Sequence, residues 1–256
     1  MWRERLLVPV PGLLVLAALL AGIEAAVDAG LVRRALLPPP SVIGARLWDL
    51  LLSGEVLPPL LQTLGLVFTG FAIGTAIGVA LGVAMGWWPA AFRLLEPLVE
   101  LIRPIPKSAL VPALMLFLGI GWTMKVTSVA LVVIFPVLLN TLQGVRGVDR
   151  VMLDAARTHG WPTRHILLHL VLPAALPFIL AGMRISLGLA MVLAVLSEML
   201  SGGGGLGFLI LDMQRSFRIR DMYAWLVVLA VVGLALNALF LAAERRALHW
   251  QPNARR

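Results

Sequence analysis

Long uninterrupted apolar runs constrain this sequence more than any other feature. About six stretches each hold roughly 20 apolar residues, the length that an α-helix needs to cross a hydrocarbon core about 30 Å thick. With 60% hydrophobic and 13% charged residues, and a mean hydropathy of +0.96, the chain has too little polar surface for a soluble globular domain. The sequence therefore predicts an all-α membrane protein with about six transmembrane helices in one membrane domain.

The first apolar run allows two interpretations. Arg3 and Arg5 precede it and the stretch Ala21 to Ala26 could host a small-residue cleavage site, as in a secretory signal, but its length favours a retained helix. We predict spans at about residues 6–26, 60–85, 94–119, 126–142, 173–200 and 223–243. We divide the chain into an N-terminal helix with an extracytoplasmic segment (1–59), a core transmembrane domain (60–245) and a cytoplasmic tail (246–256).

Charge and cysteine content limit the function further. The chain has no cysteine, which excludes disulfides and thiolate metal sites. Its net charge of +8 comes from Lys and Arg at helix ends rather than from one basic face, so we expect no nucleic-acid partner. The distribution of these charges favours cytoplasmic N- and C-termini and a cytoplasmic loop at about 143–173. The localisation we expect is the bacterial cytoplasmic (inner) membrane.

Glycine and proline mark two of the predicted spans. The second span has glycine at every fourth position, which predicts one ridge where another helix approaches closely: Gly70, Gly74, Gly78, Gly82 and Gly86. The third span contains prolines that must kink or break it: Pro97, Pro104, Pro106 and Pro112. A break of this kind is tolerated only against protein or water.

Charged residues inside the spans are costly and therefore informative. Arg184 and Glu198 lie fourteen residues apart, which returns them to nearly the same helix face, and we expect that face to turn to the subunit interior. Arg103, Arg184 and Glu198 are candidates for a substrate pathway, and structural salt bridges or snorkelling near the interface are the simpler alternative. Other charges would share a face if the third helix survives its prolines: Glu96, Glu100, Arg103 and Lys107.

No motif predicts a cofactor, a metal or a catalytic group. The chain lacks the G-x-x-x-x-G-K-[ST] phosphate cradle, so it cannot hydrolyse ATP in that manner and we do not expect an enzyme. Gly202-x-Gly204-x-x-Gly207 matches a dinucleotide fingerprint formally, but it follows a membrane helix and favours a glycine-rich extracytoplasmic turn. Three histidines include an i, i+4 pair without a completing ligand: His159, His165 and His169.

The polar stretch between the fourth and fifth spans carries the most specific pattern. It reads Asp154-Ala155-Ala156-Arg157-Thr158-His159-Gly160, and Leu172-Pro173 follows twelve residues later. Small side chains let a partner surface come close, and glycine permits the turn that ends a short docking helix. Trp161-Pro162-Thr163 then begins a second short helix.

This pattern resembles the permeases of binding-protein-dependent ABC importers, whose signature is Glu-Ala-Ala, three residues, Gly, nine residues, Ile, one residue, Leu-Pro. Asp154 stands for the Glu and Leu170 for the Ile. The Asp keeps the charge and shortens its reach by one methylene. The resemblance assigns the ATPase-coupling loop to the positions that match or replace the family's residues: Asp154, Ala155, Ala156, Gly160, Leu172 and Pro173.

Four further segments look like the subgroup that serves nitrate, sulfonate, taurine and related compounds: Leu37-Pro38-Pro39-Pro40-Ser41, Arg103-Pro104-Ile105-Pro106, Gly182-Met183-Arg184 with Glu198, and Gly205-Leu206-Gly207. The resemblance implies a type I ABC importer permease fold and a small anionic cargo such as an alkanesulfonate, taurine or nitrate. A thiamine-precursor pyrimidine or another small organic solute is the alternative cargo.

The same resemblance implies the partners. They are ATP-binding cassette subunits that hold ATP-Mg, an extracytoplasmic solute-binding protein, the lipid bilayer and a second copy of this chain. The rival mechanism is a stand-alone gradient-driven transporter. That mechanism gains little support, because no inverted repeat of broken helices is evident.

Overall fold

The computed structural model describes residues 9–250, and every regular element in that range is a helix. The α-helices are α1 (Pro9–Asp28), α2 (Pro40–Ser53), α3 (Leu57–Trp87), α4 (Pro89–Ile102), α5 (Val111–Leu118), α6 (Trp122–Arg146), α7 (Arg150–Thr158), α8 (Thr163–Ile166), α9 (Leu172–Ser201), α10 (Leu206–Arg215) and α11 (Ile219–Ala247). A 3-10 turn (Lys107–Leu110) precedes α5, and a π-helical segment (Leu167–Val171) joins α8 to α9. The predicted all-helical class is confirmed.

The described region contains four helices long and apolar enough to cross a membrane, or five if one bent pair counts as a single span. They are α3, α6, the continuous helix from Thr163 to Ser201, and α11, and the bent pair is α4 with the segment Lys107–Leu118. The first predicted span begins outside the described residues, and its remaining part lies in α1. This number of spans is roughly compatible with the predicted six.

The glycine ridge of α3 packs directly on α6. A Cβ atom built on any ridge glycine would lie only 2.6 to 2.9 Å from the Cβ atom of an α6 residue. The α6 partners recur at the same four-residue spacing: Val129, Val133, Val137, Thr141 and Val145. Because both series ascend together, α3 and α6 run parallel. The predicted packing ridge is confirmed.

Helix α9 lies antiparallel on the other side of α6. Gly182 approaches the Pro136 carbonyl, and the Ser186 hydroxyl donates to the Val133 carbonyl at 3.2 Å. Helices α3, α6 and α9 thus form the centre of the bundle. We name its two ends by what they carry. The loop end, where α3 and α6 finish, carries residues 147–171, and the turn end carries residues 202–205.

A second layer covers the turn end. Leu50 of α2, Leu206 of α10 and Trp225 of α11 are buried in one apolar cluster. Arg46 of α2 donates to Asp221 at the start of α11, and Arg218 also pairs with that carboxylate at 2.7 Å. The hydrogen bond to Asp221 raises the pKa of Arg46, so the guanidinium stays charged.

Prolines break the third predicted span, as expected. Helix α4 ends at Ile102, and the segment that follows the break is bent from it by 83°. The condition for a face shared by Glu96, Glu100, Arg103 and Lys107 is therefore not met, because the helix ends before Lys107. Pro104 and Pro106 remove backbone donors at the break, and Lys107 lies beyond it in the 3-10 turn.

The fifth predicted span starts earlier than the sequence suggests. The helix is continuous from Thr163, and Pro173 lies inside it rather than at its start. The strain of this proline is absorbed in the preceding π segment, where the Leu172 N–H donates to the Leu167 carbonyl, one residue further than in an α-helix. Part of the predicted loop at 143–173 is thus an extension of this helix rather than irregular chain.

Candidate functional site

Helix α7 is a short surface helix with both ends capped. The Asp149 side chain accepts a hydrogen bond from the Val151 N–H at 2.8 Å, which satisfies one free donor of the first turn. At the other end Gly160 adopts a φ of +75°. The Gly160 N–H donates to the Arg157 carbonyl and the Trp161 N–H to the Ala156 carbonyl, a paired pattern that ends the helix abruptly.

The two alanines of the signature have different environments. Ala156 is buried in a cluster at the loop end, together with Val145 of α6 and Val171 before α9. Ala155 is exposed, and so are the apolar side chains of Val151 and Met152. One face of α7 therefore holds it to the bundle, and the other presents apolar and small side chains outward.

The charged residues of α7 border that outward face. Asp154 and Arg157 form an ion pair of 3.1 Å, and both side chains are largely exposed, at 70% and 64%. Such a pair contributes little stability in water, so the carboxylate is free to exchange this arginine for another partner. An extra methylene at Asp154 would extend outward without meeting the bundle.

A second group of candidate residues is basic and lies at the level of the middle of α6. The Lys107 ammonium sits 4.4 Å from the ring centroid of Phe135. Phe135 is thirteen residues from the start of α6 and eleven from its end, so it lies about 16 to 20 Å from either end. The same ammonium donates to the carbonyls of Ile102, Arg103 and Ile105 at 2.7 to 3.2 Å. Lys107 thereby caps the broken end of α4.

Arg184 reaches the same depth from α9. Its neighbours Gly182 and Ser186 approach Pro136 and Val133, which bracket Phe135 on α6. The prediction that Arg184 turns to the subunit interior is wrong, because Gly182 and Ser186 define the packing face and Arg184 lies on the exposed side. Within residues 9–250, no acidic side chain forms an ion pair with it.

Arg103 and Glu198 are placed differently from each other. Arg103 is half-exposed at the break and its guanidinium pairs with Glu100 at 3.1 Å, while its backbone carbonyl accepts from Lys107. Glu198 lies at the turn end, only 2% exposed, and it accepts hydrogen bonds from Thr63 and from the Gly207 N–H. The prediction that Glu198 faces the subunit interior is therefore correct.

The remaining motifs acquire no ligand geometry. His165 and His169 stack with ring centroids 3.9 Å apart, and Trp161 meets His165 edge-on. In the part of the chain that the structure describes, no three His, Cys, Asp or Glu residues are placed to hold a metal ion. The glycine-rich stretch from Gly202 forms a turn between α9 and α10, without a strand before it.

Removing the cap at the break tests its importance. We expect Lys107→Met to lower the free energy of unfolding by about 1–2 kcal/mol, because three carbonyls lose a charged donor. Stability is measured by heating the protein in detergent and following the fraction that remains monodisperse. Lys107→Arg keeps the charge and several donors and is the matched control. Equal stability of Lys107→Met and the parent would contradict the capping role.

Membrane-spanning helices, a broken helix with basic residues at mid-depth and a capped surface helix at one end are features typical of a membrane transport subunit. The chain belongs to the family of binding-protein-dependent transport system inner membrane components, whose model matches residues 74–247. The loop signature lies inside that range. The recognised family is therefore confirmed, and members of this family are the permeases of ABC importers.

Relatives in the family are named for different transported solutes. The chain is 31% identical over 240 residues to the aliphatic sulfonates transport permease protein SsuC of Bacillus subtilis, covering 94% of this chain and 87% of that protein. It is 30% identical to the taurine transport system permease protein TauC of Escherichia coli, covering 83% and 74%. It is 34% identical to the riboflavin transport system permease protein RibX of Chloroflexus aurantiacus, covering 84% and 81%.

Solved structures agree on the fold. An inward-facing conformation of the MetNI methionine ABC transporter matches with a TM-score of 0.64 over 75% of this chain and 95% of that one, at 18% identity. An amino acid ABC transporter solved with histidines matches with a TM-score of 0.61 over 77% and 94%, also at 18% identity. At this identity the likeness supports the importer permease fold alone.

Proposed function

We propose that this chain is the transmembrane permease subunit of an ATP-driven importer and that α7 docks on a separate ATPase subunit. The observation that carries the proposal is the outward face of α7, where Val151, Met152 and Ala155 are exposed beside Asp154 on a helix capped at both ends. Apolar and small side chains rimmed by charge are typical of a surface that another protein covers.

Two copies of the chain would enclose the path, and a solute-binding protein would deliver cargo at the turn end. The loop end would then face the cytoplasm, together with the N- and C-termini. Arginines near this end support that orientation, since Arg146, Arg150, Arg157 and Arg164 all lie there. Closure of the ATPase subunits would move α7, and the bundle attached to it, between inward and outward openings.

Orientation has a direct test because the chain contains no cysteine. Val151→Cys places a thiol on the exposed face of α7, and Phe217→Cys places one on an exposed residue at the turn end. In intact cells an impermeant maleimide is expected to label position 217 and not 151. After permeabilisation both should react. Labelling of 151 alone in intact cells would reverse the topology and exclude the docking role.

For the cargo we propose a small anion such as an alkanesulfonate, taurine or nitrate. Arg103, Lys107 and Arg184 supply three basic side chains near one depth, and Glu100 offsets one of them, so two copies would bring a net of four positive charges to the middle of the path. Net positive charge at mid-membrane favours a translocated anion. Relatives named for sulfonates and taurine support the same class.

A neutral or larger organic solute is the second candidate, and the riboflavin relative is the observation that favours it. Thermal stability of the partner binding protein should distinguish the two. We expect stabilisation by a sulfonate, taurine or nitrate, and none by riboflavin or a thiamine-precursor pyrimidine. The reverse result would replace the anion proposal.

The energy source is tested in proteoliposomes. Uptake is expected only when the chain is reconstituted with its ATPase subunit, its binding protein and ATP-Mg. ATP-Mg would be held by the ATPase subunit. Uptake by the chain alone, driven by an ion gradient, would instead support a stand-alone transporter.

Arg184 offers a charge test of the path. We expect Arg184→Gln to lower the kcat/KM of anion uptake about tenfold, which corresponds to about 1.4 kcal/mol at the barrier. Arg184→Lys keeps the charge and should retain most of the uptake. Arg245→Gln removes an exposed charge near the end of α11 and serves as the control. Equal uptake by Arg184→Gln and the parent would exclude Arg184 from the path.

A further inference from the structure

Glu198 is a buried carboxylate with its hydrogen bonds already satisfied inside the chain. The Thr63 hydroxyl contacts both carboxylate oxygens, at 2.9 and 3.1 Å, and the Gly207 N–H donates to Oε2 at 2.9 Å. A carboxylate buried this deeply persists only when donors and positive charge compensate it. These donors come from α3 and from the start of α10, so the carboxylate joins three helices.

Thr63 extends the connection by one bond. Its hydroxyl oxygen accepts a hydrogen bond from the Leu206 N–H at 2.9 Å, while the same hydroxyl donates a hydrogen bond to Glu198. The first two N–H groups of α10 therefore end on Thr63 and Glu198. A carboxylate at this position also interacts favourably with the positive end of the α10 dipole.

The glycine turn is shaped around the same carboxylate. All four residues from Gly202 to Gly205 have φ between +69° and +105°, which side chains rarely adopt. A Cβ atom on Gly205 would overlap the Glu198 carboxylate, and one on Gly204 would overlap the Gln62 amide. Lys125 of α6 donates to the Gly202 carbonyl at 2.7 Å.

We propose that Glu198 is a positioning residue that fixes the glycine turn and α10 onto α3 and α6, rather than a group that contacts substrate. Helix α10 then carries Ile210 and Met213 into the apolar cluster with Trp225, so α2, α10 and α11 are held to the central bundle. This inference concerns the chain alone and does not depend on the cargo.

Cysteine protection tests it in the purified full-length chain. Ile210→Cys places a thiol on α10 at a position 6% exposed, and Val171→Cys places one at a position 0% exposed at the loop end. In the single-cysteine proteins without a further substitution, both thiols should react slowly with a water-soluble maleimide. Adding Thr63→Val or Glu198→Gln is expected to raise the labelling rate at position 210 at least tenfold and to leave position 171 unchanged. Thr63→Ser keeps the hydroxyl and should restore protection.

Three results would overturn the proposal. Unchanged protection of position 210 in both variants would show that Glu198 does not hold α10. A parallel rise at position 171 in both variants would mean loss of the whole fold rather than release of one helix. Loss of uptake in Glu198→Gln with position 210 still protected would assign the carboxylate to the substrate path.

Discussion

Deleting residues 155–160 is expected to abolish ATP-driven uptake while the protein remains inserted in the membrane. The deleted segment is mostly exposed, and only Ala156 of its members is buried against the bundle. Helices α6 and α9 would therefore keep their mutual contacts, whereas the outward face of α7 would be lost. We expect the reconstituted transporter to retain ATPase activity that the binding protein no longer stimulates.

Two measurements check this result, namely solute uptake and ATP hydrolysis by the same proteoliposomes. Asp154→Glu is the matched control, because it places the usual residue of the family signature at an exposed position with room for one more methylene. It should preserve both activities. Uptake at the parent rate after the deletion would show that energy does not enter through α7.

Placing a large side chain on the glycine ridge is expected to destabilise the bundle strongly. In Gly74→Leu the first side-chain atom alone would lie 2.7 Å from both the Ala130 carbonyl oxygen and the Val133 Cβ atom. Helices α3 and α6 would have to separate, and we expect a loss of about 3 kcal/mol. The apparent melting temperature in detergent should fall by about 5–10 °C.

The ridge prediction has a control in another helix. A Cβ atom on Gly233 of α11 meets nothing within 4 Å, so Gly233→Ala should leave stability unchanged or raise it slightly. A Gly74→Leu protein as stable as this control would show that the close approach of α3 and α6 is dispensable.

The features that could be predicted from sequence are those that a short segment determines by itself. The four-residue glycine spacing was sufficient to predict the α3 ridge, and Pro104 with Pro106 was sufficient to predict the break. The signature beginning at Asp154 predicted a short helix ending at Gly160, and the structure places α7 there. In each case a few neighbouring glycines or prolines determine the local structure of the backbone, whatever the rest of the chain does.

Features that join distant segments could not be predicted in the same way. Thr63 and Glu198 are 135 positions apart, and nothing in either neighbourhood indicates the other. The side of α9 that packs was misjudged at Arg184, because a helix with two neighbours has no single polar face. Pro173 suggested a helix start, but a π segment two to six residues earlier absorbs its strain.

The matched spacing of α3 and α6 also limits how the transporter can move. Each ridge glycine faces a branched side chain of α6, and the pairing repeats only after four residues, or about 6 Å along the helix. A smaller slide would bring those side chains against the bulky residues between the glycines. The ridge therefore holds the two helices in a fixed register. Under the proposed function, alternating access would then come from rotation of the α3–α6–α9 body as a unit against a second copy.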